Sequence, residues 1–365
     1  MLKEIGIKNF KCFNNFKPIK LNHLTIFAGG NGVGKSSVIQ SILLVRQTIE
    51  NKKLSINTIK LNDSYNLNLG NSKVITSSLS DSSEVNFNIK TSTFEYEFKY
   101  FADASNTRFD LDVNSTLDIQ ENTSIFADQF YYLQAERIGP RDSQKIKEQK
   151  YDNVGISGEY TNYIFNKLEN IKIDENRMIG TINNLKQEVE AWMNLLVPGV
   201  QFTTESYDKL KEVGLGIRRK GSETDYLQPS NIGFGISYVL PIVVTCLIAK
   251  PNTLIIIENP EAHLHPSGQS RMGAFLSKMA SSGLQIIVET HSEHIINGMR
   301  VSSINGVIHN DNISINFFNM KEDEPEPIIS EIKVDSKGSL SDWPEGFFDQ
   351  QEKDIAKIFK SRIRK

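Results

Sequence analysis

Gly29-x-x-x-x-Gly34-Lys35-Ser36 is a complete phosphate-binding loop pattern, the group of residues in this chain best suited to hold a triphosphate. Glycines let the backbone turn tightly and point successive N–H groups inward, which makes a nest for an anion. A helix that begins there has N–H groups without internal partners, so its positive end faces the phosphates. Lys35 is expected to reach the β- and γ-phosphates and Ser36 to hold Mg²⁺, with Asn31, Gly32, Gly34 and Ser37 completing the cradle. Far downstream, an apolar run ends in Glu258-Asn259-Pro260-Glu261. A carboxylate at that position, Glu258, can bind Mg²⁺ directly or through water and orient it between the β- and γ-phosphates. ATP and Mg²⁺ are therefore the expected cofactors.

These residues need particular elements around them, and the flanking sequence supplies the pattern for each. Leu24 to Ala28 is a short apolar strand before the loop, and Val38, Ile42, Val45 and Ile49 fall on one helical face after it. Leu254 to Ile257 is a continuous β-rich run, as in a central parallel strand, and ends at Glu258. A helix over about 267–281 leads to a second buried strand, Leu284 to Val288, which ends in Glu289-Thr290-His291-Ser292. Strand, crossover helix and strand make a right-handed βαβ unit, with ligands expected at the carboxyl ends of its strands.

The rest of the chain divides around this core. Residues 2–28 read as two paired strands bracketing a polar turn. Period-two alternation at Val85, Phe87, Ile89, then Phe94 to Tyr100, then Phe109, Leu111, Val113 predicts half-buried antiparallel strands. Phe130 to Gln134 predicts one more strand, and residues 142–158 a mobile polar loop. Leu185, Val189, Trp192 and Leu196 form a helical stripe that Pro198-Gly199 stops, and Arg218 to Gly221 read as a basic hairpin tip. Gly233-Phe234-Gly235-Ile236-Ser237 opens a buried apolar helix, and a hairpin over 313–334 around an acidic turn, Glu322-Asp323-Glu324, precedes a last helix with Ile355, Ile358, Phe359 and Ile363 on one face. The expected organisation is α/β: an ATPase lobe I over 1–141 with the antiparallel strands, a helix-rich lobe II over 142–228, the remaining ATPase core over 229–320, and a C-terminal hairpin and cap helix over 321–365.

Bulk composition excludes several classes. The 365 residues are 39% apolar and 23% charged with net charge −3, so no global basic signature points to nucleic acid. No stretch approaches ~18 consecutive apolar residues, so no membrane span is expected. Cys12 and Cys246 sit in apolar surroundings without a secretory segment, which predicts reduced thiols and a cytoplasmic location. No Cys/His spacing suggests zinc. Arg137, Arg141, Lys145, Lys147 and Arg218-Arg219-Lys220 are the one local basic set that could meet DNA.

The Asn9-Phe10-Lys11 triplet, the phosphate loop, Glu258 to Pro266 and Glu289 to Ser292 together resemble the ABC-type ATPases of the OLD-like group, which are similar to RecF and SMC heads. Trp343-Pro344-x-Gly346-Phe347-Phe348-Asp349 resembles the C-terminal cap of a branch that includes bacterial anti-phage defence ATPases such as PtuA of Septu. The resemblance implies a P-loop ABC-type head that binds two ATP between head-to-tail copies. It assigns Gln134 to the Q-loop glutamine that touches Mg²⁺ and the attacking water. Gly233, Gly235 and Ser237 match the signature segment that contacts the γ-phosphate held by a partner copy, and His291 matches the switch histidine. The implied partners are a second copy (a homodimer or higher oligomer) and an effector protein such as a nuclease, with DNA as the alternative. No nuclease domain of its own is expected, because no acidic constellation of the OLD nuclease kind follows His291.

One departure bears on rate. The commoner pattern ends Asp-Glu where this chain has Glu258-Asn259. Asparagine orients a water but cannot accept its proton, and losing a general base typically costs ~10²–10⁴ in rate. Either Glu261 takes that place from the next turn or hydrolysis is slow; Glu261 reads equally as a helix-capping acid. The alternatives to an effector-controlling ATPase are a non-hydrolysing ATP sensor and a DNA-binding repair ATPase of the RecF/SMC kind.

Overall fold

The computed structural model describes residues 1–52, 58–62, 64–102, 110–113, 119, 121–321 and 324–363. Phe109, Glu322 and Asp323 lie outside the described residues. In chain order the first elements are β1 (Leu2–Lys8), β2 (Lys17–Lys20), β3 (Leu24–Gly29), α1 (Lys35–Lys52), β4 (Thr58–Lys60) and α2 (Ser72–Ile75). Next come β5 (Glu84–Thr91), β6 (Glu95–Phe101), β7 (Asp110–Val113), β8 (Phe130–Leu133) and β9 (Ser143–Lys145). The middle holds α3 (Thr161–Leu168), α4 (Leu185–Leu196), β10 (Val200–Tyr207), β11 (Glu212–Arg219) and α5 (Phe234–Ile248). The chain closes with β12 (Leu254–Glu258), α6 (Pro266–Ser281), β13 (Gln285–Glu289), α7 (Glu293–Ile304), β14 (Ile313–Asn319), β15 (Ile328–Ile332) and α8 (Gln350–Ile363).

The central sheet has the order β15-β14-β3-β13-β12-β8. All neighbours in it are parallel except β14 and β15. Period-two alternation divides its side chains between two cores. Phe27, Ile256, Ile287 and Phe318 face one way, into the core shared with α1 and the antiparallel strands. Ile26, Ile257, Ile286, Val288 and Ile315 face the other way, into the core shared with α4, α5, α6 and α7. Each such buried aliphatic side chain contributes on the order of 1.5–3 kcal/mol. Burial on both faces is why these strands are continuous apolar runs.

The antiparallel sheet has the order β2-β1-β5-β6-β7-β4. The pairing expected inside residues 2–28 is corrected here: β1 pairs with β2 and β5, while β3 joins the central sheet between β14 and β13. Alternation placed these strands but carried no information on which sheet each enters. The helix α1 packs between the two sheets and buries more than one stripe, since Ile39, Leu43 and Leu44 join the expected Val38, Ile42, Val45 and Ile49.

Residues 142–228 hold α3 and α4 and also a three-stranded antiparallel sheet, β10-β11-β9. The segment 142–158, expected as a mobile loop, contains β9 and is tied down: Gln134 N donates to Ile156 O (3.0 Å), Ile138 N to Ser157 O (2.8 Å), and Val154 is buried. Its short strand has no alternation to read, because only three residues pair. The α4 stripe is buried as expected, with Trp192 edge-on to Phe275 of α6. The turn after β11 is the expected basic tip, closed by Ser222 N donating to Arg219 O. The basic set does not assemble into a stripe, however. Arg137 is buried, and Lys145 pairs with Glu212 at the opposite end of β11 from Arg218, roughly 20 Å away. No helix among the described residues is long and apolar enough to cross a membrane.

Candidate functional site

The phosphate loop sits between β3 and α1, at the carboxyl edge of the central sheet. Gly29 has φ +138°, and a Cβ there would lie 2.1 Å from the Phe318 carbonyl oxygen of β14. Gly34 has φ +99°, and a Cβ there would lie 2.8 Å from Cys12 Sγ. Only glycine fits either position. Lys35 opens α1 with a side chain that is 3% exposed. Its Nζ donates to the loop carbonyls of Gly29 (3.2 Å) and Gly30 (2.5 Å) and lies 3.8 Å from Glu289 Oε1. Burial lowers the Lys35 pKa from the ordinary lysine value, and Glu289 works in the opposite direction. The cavity over the loop is about 220 Å³ and is lined by Asn31, Gly32, Lys35, Ser36, Ser37 and Glu289 among others.

The acid facing the loop is Glu289, not Glu258. Ser36 Oγ donates to Glu289 at 3.2 Å from Oε1 and 3.1 Å from Oε2. The reason is strand order: β13 lies beside β3, and β12 lies one strand further out. Glu258 and Glu289 are register partners, so their carboxylates close adjacent strands. Burial, then repulsion from Glu258, pushes the Glu289 carboxyl up to about 7, against the pull of Lys35 and Ser36. Glu258 accepts from Tyr132 Oη (3.0 Å) and from Ala135 N (3.0 Å), and burial raises it too.

Asn259 occupies a left-handed turn at φ +44° and donates its N–H to the Glu289 carbonyl (2.8 Å). Glu261 Oε1 accepts from His291 N at 2.7 Å, and its Oε2 is buried with no hydrogen-bond partner among the described residues. Glu261 does not cap α6; that role falls to His265, whose ring accepts from Ser267 N. His291 is held below the ordinary histidine value by burial and by Lys35. The expected loop residues Asn31, Gly32, Gly34, Lys35, Ser36 and Ser37, together with Glu258, Asn259, Glu261 and His291, thus join Glu289 around the loop and the two strand ends.

Gln134 and the segment from Gly233 to Ser237 stand apart. The Gln134 side chain is engaged elsewhere, with Oε1 accepting from Asn66 Nδ2 (3.3 Å) and Nε2 donating to Glu136 O (2.8 Å). Gly233, an exposed residue, precedes α5 with no side-chain cap among the described residues. A Cβ on Gly235 would lie 2.9 Å from the His263 carbonyl oxygen, which explains the glycine. Phe234 stacks on His263 and is 53% exposed, and Ser237 lines a narrow cleft beside Arg141 and Pro229, separate from the cavity over the loop. Sequence reasoning did not single out Tyr132, and it named Glu289 and Arg137 only in other settings, as part of a strand-end motif and of a basic cluster. Glu289 had a signal, since an acid closing a second buried parallel strand is a site position; Tyr132 and Arg137 had none.

The donor set fits a magnesium nucleotide. A hydroxyl and a carboxylate, Ser36 and Glu289, are hard oxygen ligands, while the buried Lys35 ammonium supplies the complementary charge for phosphate. A family model described as "AAA domain, putative AbiEii toxin, Type IV TA system" matches residues 24–297 of the 365, and one described as "Protein of unknown function (DUF3696)" matches residues 308–358. The Old nuclease of Escherichia phage P2 is 39% identical over 72 residues, which cover 18% of this chain and only 12% of that protein. An Smc head bound to the C-winged helix domain of ScpA superposes with TM-score 0.53 at 16% identity, covering 92% of this chain and 98% of its own. An Smc head with an extended coiled coil, bound to the C-terminal domain of ScpA derived from Pyrococcus furiosus, gives 0.51 at 12% identity, covering 98% and 99%. At those identities the likeness shows the fold alone. The chain belongs to the AAA-domain family that its model matches, and it has the P-loop fold of SMC heads.

Proposed function

We propose that the protein binds ATP with Mg²⁺ on the loop at 29–36, that two copies close head to tail over two nucleotides, and that slow hydrolysis reopens them. The observation that carries this reading is the Lys35–Ser36–Glu289 cluster at the head of α1. Nucleotide phosphate would replace the Gly29 and Gly30 carbonyls as the Lys35 partner. Ser36 and Glu289 would hold Mg²⁺, which neutralises charge on the β- and γ-phosphates. Glu258 stabilises the strand end, and Glu261 orients the His291 backbone and would take the proton from water through its second carboxylate oxygen. Asn259 occupies the water-orienting position, which keeps turnover low. Ser237 lines a cleft apart from the cavity over the loop, which is consistent with completing the site of a second copy through Gly233, Gly235 and Ser237.

The role of this cycle is to control a partner effector in the cytoplasm, in anti-phage defence. That assignment is supported by the toxin–antitoxin description of the family and by the likeness to a phage protein. A second reading, a sensor with negligible turnover, is favoured by Asn259 alone. A direct DNA role has less support, because Arg137 is buried and the remaining basic residues are dispersed. The test is ATP turnover of the purified protein against Lys35→Ala. The reading expects turnover to fall to background in the variant; equal turnover in both refutes it.

A further inference from the structure

Arg137 is a cation buried to 2% exposure just beyond β8, and its partners are carbonyl oxygens and a ring. One terminal nitrogen, Nη1, donates to Gln134 O (3.0 Å) and Glu258 O (2.7 Å). The other, Nη2, donates to Asn259 O (2.7 Å). The guanidinium carbon lies 5.4 Å from the centre of the Tyr238 ring, on the second turn of α5, and Nε is buried without a partner. Burial holds the group well below the usual arginine value, at about 10. Taking a guanidinium out of water is costly, and an apolar side chain would fill such a place at less expense. What an apolar side chain lacks is a rigid fork of donors.

The fork is aimed at one residue. The Glu258 carbonyl belongs to the peptide plane before Asn259, and the Asn259 carbonyl to the plane after it. Both planes that flank Asn259 are pinned by one guanidinium, which fixes the direction of the Asn259 side chain at its unusual φ of +44°. The same group reaches the end of β8 through Gln134 O and α5 through Tyr238. Three segments that meet at the carboxyl edge of the sheet are joined there: the end of β8, the turn after β12, and the glycine-headed helix.

We infer that Arg137 is a positioning residue for ATP turnover: it sets the orientation of Asn259 and couples it to the attitude of α5. This rests on the ATPase reading above. Nucleotide binding, which uses the loop and α1, does not pass through Arg137. Turnover does, because the water-orienting turn and the helix offered to a second copy share this one anchor.

The test uses the full chain and two variants, Arg137→Lys and Tyr238→Leu. Lysine keeps the charge and loses the fork; leucine keeps the fork and removes the ring. Affinity is read with a fluorescent ATP analogue, kcat and KM by phosphate release, and folding by Tm. Arg137→Lys is expected to lower kcat by about 10- to 100-fold, the scale of a small misplacement, with nucleotide affinity and Tm unchanged. Tyr238→Leu is expected to lower kcat less, again without a change in affinity. Unchanged kcat in Arg137→Lys overturns the inference. Parallel loss of affinity, kcat and Tm also overturns it, since the role is then structural. If Arg137→Lys does not fold, Tyr238→Leu decides: unchanged kcat with full stability removes the coupling to α5. Wild-type turnover that survives Lys35→Ala would instead sink the ATPase reading, and this inference with it.

Discussion

Ser36 Oγ on the first turn of α1 donates to the Glu289 carboxylate at the end of β13, at 3.2 Å from Oε1 and 3.1 Å from Oε2. The bond closes the phosphate loop against the neighbouring strand. It also brings a carboxylate within 3.8 Å of Lys35. The acid that serves the loop thus comes from the adjacent strand and not from the Glu258 strand, one position further out.

Glu289 makes the nucleotide-free protein sensitive to pH. Its folded value is raised from 4.5 to about 7. A raised carboxyl holds its proton more tightly in the fold, so its contribution is fully present below pH 4.5 and is lost as pH rises through 7. The full span is worth up to about 3 kcal/mol. The Tm of wild type relative to Glu289→Gln is expected to fall as pH rises from 4.5 to about 7, the range this shift spans, and to level off above it. A difference independent of pH would contradict the assignment. With Glu289 in its proposed role of holding Mg²⁺, Glu289→Gln is also expected to lower turnover by ~10²-fold.

The proposed function makes the Glu258-Asn259 order the determinant of rate. Asn259→Glu supplies a base at the water-orienting position and is expected to raise turnover by up to ~10²-fold. Glu261→Gln keeps an acceptor for His291 N but removes the proton-accepting oxygen, so turnover should fall at least ~tenfold. Phosphate release under saturating ATP checks both. Intact turnover in Glu261→Gln would leave that residue only the task of holding His291.

Gly29 is a stability position as well as a loop position. Its φ of +138° and the 2.1 Å approach of the Phe318 carbonyl leave no room for a methyl group. Gly29→Ala should cost on the order of 2–4 kcal/mol, read as a drop in denaturation midpoint. A cost near zero would mean that β14 is not seated against the loop as described.

Much of this was legible because the signals are local. The loop pattern, the stripe from Val38 to Ile49 and the apolar runs ending at Glu258 and Glu289 each specify an element from their own residues. What the sequence hid was lateral order. Nothing in residues 2–28 says that β1 and β3 enter different sheets, and nothing in the two acidic strand ends says which one lies beside the loop. Arg137 illustrates the same limit: read along the chain it belongs to a basic cluster, and only the fold reveals it as a buried anchor for Glu258 and Asn259 carbonyls.

The most direct test of head-to-tail completion mixes two defective proteins, Lys35→Ala and Ser237→Arg. The first lacks the loop cation and the second blocks the helix offered to the partner. Each alone should be inactive in ATP turnover. In a mixed head-to-tail dimer both defects fall in one site and the other site is intact. The expected result is partial recovery of turnover on mixing. No recovery, from two folded variants that form mixed dimers, would contradict a nucleotide site completed by a second copy of the chain.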